Sequence, residues 1–241
     1  MSSKFKNNLS DLSAIGTEFE ITDYDNLKAI RKITNLNEKF HDYDNEIINQ
    51  ISLFMSNLEL AGIQLPRIYD VQKEPAKIIF ICEYSGETVV ENFQAHSLGD
   101  FISDTTYFDQ MLKIIKKVQS ADLHLDPHPK NFVLASDKIT YVDFTPPYGN
   151  EYFNLRLSLA NENEDQILND FFNTLNKESL GYHLAGDIMK IDTENYHHLP
   201  MLYKKMNELN IIHPNYEYFI KRLNEIINIE KGRELGNIFL I

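Results

Sequence analysis

The chain has 241 residues, and 23 Lys and Arg against 36 Asp and Glu leave a formal charge of −13. An apolar fraction of 43%, with 12% aromatic, is enough to bury a core and excludes wholesale disorder. The acidic balance argues against non-specific binding to nucleic acid or to an anionic membrane, and the single cysteine, Cys82, excludes a disulfide framework or a thiolate-rich metal cluster.

In chain order, the N-terminal stretch Met1 to Asn8 has no apolar signal-peptide segment, and no run reaches the roughly 18 apolar residues of a membrane span. Together with the lone thiol this predicts a cytoplasmic protein. Phe19 to Thr22 and Leu27 to Ile33 flank the polar turn Asp23-Tyr24-Asp25-Asn26, a hairpin signature. From about Asp44 to Leu60 the residues Ile47, Ile51, Phe54 and Leu58 fall at helical spacing, and Gly62 supplies a stop. Two strands follow, Arg67 to Val71 and Lys77 to Cys82, around a turn containing Pro75. After Gly86 the periodicity becomes helical, with Phe108, Met111, Leu112, Ile115 and Val118 on one face between about Tyr107 and Gln119. Two short extended runs, Phe132 to Leu134 and Ile139 to Val142, enclose a Ser136-Asp137-Lys138 turn, and beyond Glu162 the pattern predicts three or four helices. The expected class is α+β: a small antiparallel sheet carrying one helix, then a mainly helical region.

The chemically informative stretch is His124-Leu125-Asp126-Pro127-His128-Pro129-Lys130-Asn131, followed by the second hairpin and Asp143-Phe144. Asp126 and Asn131 sit on a proline-stiffened loop, and Asn131 and Asp143 lie at opposite ends of the hairpin, so three oxygen-bearing side chains can converge. Such a set suits magnesium beside phosphate, with one further carboxylate to orient a hydroxyl nucleophile. A His-x-Asp-x-His cluster also suits a transition metal, but that reading leaves Asn131 and the later Val-Asp-Phe unexplained.

At these residues the chain resembles the protein-kinase-like superfamily, whose catalytic loop reads H-x-D-x-x-x-x-N ahead of a hairpin and D-F-G. The Asp126-Pro127-His128-Pro129-Lys130-Asn131 loop is most similar to the D-x-H-P-x-N loop of aminoglycoside and choline phosphotransferases and their atypical-kinase relatives. The resemblance runs from about Ile15 to Phe144. It implies a two-lobed fold, with residues 1–84 as nucleotide-binding lobe, 85–241 as catalytic and substrate lobe, and a hinge near 83–86. It implies that Asp126 is the catalytic base, that His124 braces the loop, and that Asn131 and Asp143 hold Mg2+. It places Cys82 at the gatekeeper position, with Glu83, Tyr84 and Ser85 meeting the adenine of ATP. A basic residue on the third family strand then contacts phosphate and pairs with a helix carboxylate; Arg31 and Lys32 both lie on that strand, Lys32 is preferred, and Glu46 is the best-placed carboxylate.

Two departures stand out. The nucleotide-covering loop, between about Ser10 and Glu20, has only Gly16 in place of a glycine series, and the D-F-G glycine is replaced in Asp143-Phe144-Thr145-Pro146-Pro147. The implied activity is transfer of the ATP γ-phosphoryl group to a hydroxyl. The expected acceptor is a small, aminoglycoside-like or amino-alcohol molecule, because an acidic surface favours a cationic one. The alternatives are an atypical protein Ser/Thr kinase and a nucleotide-binding pseudokinase acting as an interaction module. No nucleic-acid or membrane partner is expected.

Overall fold

The computed structural model describes residues 15–91, 98–103, 105–135, 138–145, 147–160, 169, 177–191 and 197–239. Strands β1 (Ile15–Tyr24) and β2 (Leu27–Leu36) form the first hairpin. Both run longer than the sequence pattern predicts, because the turn contracts to Asp25 and Asn26. These residues have φ of 48° and 63°, the left-handed pair of a tight hairpin turn that Asp and Asn tolerate. After a 3-10 turn (Glu38–Tyr43), helix α1 spans Asp44–Leu60, with Asp44 and Glu46 in its first turn where the helix dipole favours acid. Its inward stripe is Ile47, Ile51, Phe54, Met55 and Leu58. Gly62 ends it at φ 75°, a conformation glycine adopts without strain, and its carbonyl accepts a hydrogen bond from Lys117 Nζ at 2.6 Å.

Strands β3 (Ile68–Glu74) and β4 (Lys77–Glu83) complete an antiparallel sheet in the order β1-β2-β4-β3. Register decides which side chains share a face: Lys32 pairs with Phe80 and Ile30 with Cys82, while Arg31 pairs with Ile81. Lys73 of β3 forms an ion pair with Asp44 at the start of α1 at 3.1 Å, which places the helix on the face that carries Lys32 and Phe80.

A two-residue strand, β5 (Glu87–Thr88), opens a second antiparallel sheet, β5-β6-β7, with β6 at Phe132–Ala135 and β7 at Lys138–Tyr141. Helices α2 (Leu98–Ser103) and α3 (Thr105–Ser120) precede it. All five predicted inward residues of α3, from Phe108 to Val118, are fully buried. The remaining elements among the described residues are helices: α4 (Asn150–Leu159), α5 (Leu180–Ile191), α6 (Leu199–Glu208) and α7 (Tyr216–Phe239). Helix α4 starts before the predicted helical region. Its buried face is only Tyr152 and Leu155, too sparse to register as a period. The molecule is therefore α+β, with a small antiparallel sheet, its helix, and a helical remainder built around a second hairpin. Among the described residues no helix is long and apolar enough to cross a membrane.

Candidate functional site

The loop from Asp126 to Asn131 joins α3 to β6, and its backbone is tied down at almost every residue. Pro127 and Pro129 are buried, and a single 3-10 turn spans Pro129–Asn131. His128 caps that turn: its Nδ1 accepts from Lys130 N at 3.1 Å. Asp126 N donates to the Tyr141 hydroxyl at 3.2 Å, and His128 N donates to Asp126 Oδ1 at 3.1 Å. Asn131 Nδ2 donates to the Asp126 carbonyl at 3.2 Å, and Val142 N donates to the Asn131 carbonyl at 2.9 Å. With its amide nitrogen engaged, Asn131 retains Oδ1 as its acceptor while only 5% of the residue is exposed.

Beyond β7 the chain brings Asp143 against the underside of the first sheet. Lys32 Nζ lies 3.2 Å from Asp143 Oδ1 and 3.2 Å from the Val142 carbonyl, which it donates to. The same ammonium sits 4.4 Å from the centre of the Phe144 ring. Phe144, 1% exposed, meets Phe80 edge-on at 5.5 Å. A lysine from residue 32 and an acid from residue 143 are thus held together by a ring wedged behind them.

Lost hydration raises the Asp143 carboxyl above its ordinary value, the nearby Asp126 charge raises it further, and Lys32 opposes both. Two mutually repelling carboxylates, with an amide oxygen between them in the chain, make an oxygen-rich set. That set fits magnesium and not a thiolate- or imidazole-seeking metal. Among the described residues no group of three His, Cys, Asp or Glu could hold a metal unaided. An ion at Asn131 and Asp143 would have to share its remaining positions with water or ligand oxygens.

Several sequence expectations need correction. Arg31 points to the opposite face of β2, where it pairs with Glu20 at 2.8 Å and Glu74 at 3.8 Å, because alternation along the strand separates it from Lys32. Glu46 is exposed near the start of α1 and makes no pair with Lys32: the helix turns its inward stripe one residue later, at Ile47, and Lys32 takes Asp143 as its carboxylate. Gly16 lies within β1, paired with Asn35, so the expected covering loop is strand from Ile15 onward; residues 10–14 lie outside the described residues. His124 lines a cleft of about 210 Å³ with Gln50, Phe54 and Tyr148 on the α1 side of the loop.

At the strand end, Cys82 is 3% exposed, and burial pushes its thiol up to about 12. Glu83 N donates to the Arg67 carbonyl at 2.8 Å, and the Glu83 carboxylate accepts from Arg67 N at 3.3 Å. The Lys28 ammonium lies 3.7 Å from the centre of the Tyr84 ring, and Ser85 is half-buried. Gly86, at φ 119°, passes so close to the Leu134 carbonyl that a Cβ would overlap it.

The sequence reading missed two tyrosines at this site. Tyr141 supplies the hydroxyl beneath Asp126. Tyr148 packs against Phe54 at 6.1 Å, and burial together with the Asp126 and Asp143 charges raises its phenol well above the ordinary value, which keeps it protonated. Both read in the sequence as core aromatics, because nothing local distinguishes a ring whose hydroxyl serves a loop from one that only fills space. No protein-family model matches the chain, and no curated protein matches it.

Proposed function

We propose that the chain is an ATP- and magnesium-dependent phosphotransferase of the protein-kinase-like type, moving the γ-phosphoryl group to a hydroxyl. In this reading the first sheet with α1, residues 1–84, is the nucleotide lobe. Residues 85–241 form the catalytic and substrate lobe, and 83–86 the hinge. The observation that carries it is the meeting of Lys32 with Asp143 directly above a loop that immobilises Asp126 and Asn131. One lysine, two acids and an amide, drawn from positions as far as 111 residues apart, are thereby gathered in one region.

Each residue then has a task. Lys32 holds phosphate oxygens as a compact charge. Asn131 and Asp143 would hold magnesium through oxygen, and the ion, when bound, supplies the positive charge that offsets the phosphates. Asp126, with one oxygen fixed by the His128 N–H, turns the other toward the acceptor hydroxyl, orients it for in-line attack and takes its proton. Tyr141, whose hydroxyl accepts from Asp126 N, and the buried Pro127 hold the backbone of that residue in place. The acceptor we favour is a small cationic hydroxyl compound, an aminoglycoside or amino alcohol, because the chain carries a charge of −13.

The test is incubation with γ-labelled ATP and a panel of aminoglycosides, amino alcohols and sugars, with magnesium or with a chelator, alongside a protein extract. Labelled small molecule that forms only with magnesium is the expected result. Label found only on protein would shift the acceptor class to a protein hydroxyl. ATP left intact under every condition would overturn the enzymatic reading.

A further inference from the structure

His197 and His198 stand at the start of α6, and none of the tasks above uses them. The centres of their rings are 3.7 Å apart. His198 occupies the N-cap position, where its side chain makes no capping hydrogen bond, and the first turn of α6 holds no acid. Its ring lies against Gly99 of α2: a Cβ at residue 99 would come within 2.6 Å of Cε1 and 3.2 Å of Nε2. Glycine admits the ring there, although it is among the poorest residues for a helix. One turn later the same seam continues, where Ser103 Oγ donates to Met201 Sδ at 3.6 Å, and the neighbouring Ile102 is fully buried.

Neutral rings suit this geometry and charged ones do not. Two imidazolium ions 3.7 Å apart repel, even in water, by enough for about fivefold in an equilibrium constant. A cation at the N-cap also opposes the positive end of the α6 dipole, and the contact with Gly99 takes water from the ring. Lost hydration, and then the His197 charge, hold the His198 imidazole below its ordinary value of 6.5, against the pull of Asp100 on α2. The neutral ring's contribution to stability is therefore full above about pH 6.5 and is lost as pH falls through the lowered folded-state value. We propose that His198 is a proton-operated latch between α2 and α6, closed while its ring is neutral and released when His197 and His198 are charged together. The proposal does not depend on the phosphotransferase reading.

Ile102 supplies the reporter. In the full chain carrying Ile102→Cys and Cys82→Ala, modification by a methanethiosulfonate reagent, taken relative to the same protein in denaturant at each pH, measures how often α2 opens. Between about pH 7.5 and about pH 5.5 this ratio should rise about fivefold or more. With His198→Phe added, which keeps a ring against Gly99 but cannot charge, it should change by less than about twofold. No rise, or an equal rise with His198→Phe, overturns the proposal. If the substituted chain does not fold, proton resonances of the wild-type protein decide. A His198 Cε1 proton that titrates with a midpoint below about 6.5, followed by the Gly99 amide, is the expected result. A midpoint at or above that value, or a Gly99 amide that does not follow it, overturns the latch.

Discussion

The Cys82 thiol lies on β4 with its side chain turned into the core, and burial lifts it to about 12, so at neutral pH it is protonated and shielded. Alkylation by iodoacetamide at about pH 8 should therefore run at least about tenfold slower in the native protein than in denaturant. Equal rates would mean that the strand end opens freely. Asp143 behaves unlike an ordinary salt-bridged acid. Lost hydration outweighs Lys32 and raises the carboxyl from 3.8, so the folded protein holds that proton more tightly than the unfolded chain. Its contribution to stability is then full below about pH 4 and is lost as pH rises through the raised folded-state value. Without magnesium, Asp143→Asn should gain stability relative to wild type between about pH 4 and about pH 7, as read by urea titration. A difference that stays flat across that window, or reverses, would contradict the stated balance of burial over pairing. The cost of charging Asp143 in the bare protein is the counterpart of its proposed use, since a cation at that oxygen would relieve it.

Elements with a strong period could be read before the fold was known, and elements defined by contact could not. Helix α1 has the predicted limits, Asp44 and Leu60, because four apolar residues at helical spacing, Ile47, Ile51, Phe54 and Leu58, end in a glycine stop. Strand β5 is two residues long and exists only because Gly86 lets the chain lie against β6, which no window of sequence reports. Lys32 was separable from Arg31 only by register: both are basic and adjacent, and the pairing with Phe80 decides which one faces Asp143. The Glu46 expectation failed for the converse reason, since a helix presents a given carboxylate inward only if its rotation allows it. Gly86 makes the element-scale prediction. A side chain there must adopt φ near 119° and meet the Leu134 carbonyl, so Gly86→Ala should cost about 2 kcal/mol or more. Gly149, at φ −145° with only an ordinary contact to Glu151 Oε2 at 3.8 Å from its Cβ position, should tolerate alanine within about 1 kcal/mol. Comparable losses at the two sites in urea titration would show that the junction between the sheets is not constrained as described.

At the scale of the molecule, the site depends on the first sheet meeting the segment after the second hairpin, where Lys32 lies 3.2 Å from Asp143. The first sheet and α1 supply Lys32; the second hairpin and its loop supply Asp126, Asn131 and Asp143, and the Phe80–Phe144 contact holds the two in register. The overall charge of −13 draws cations to the surface generally, so in the proposed reading a nucleotide would depend on Lys32 and on magnesium at Asn131 and Asp143. The central claim is that this meeting point transfers phosphate with Asp126 as base. Asp126→Asn keeps the backbone contacts of that residue to Tyr141 and Asn131 and, of the influences on Asp143, removes the Asp126 charge that raises its carboxyl. The decisive measurement is γ-phosphoryl transfer by Asp126→Asn against wild type, with magnesium-dependent ATP affinity measured on the same samples. The account predicts transfer reduced by about a hundredfold or more with affinity within a few-fold of wild type. Transfer retained at the wild-type rate would contradict it.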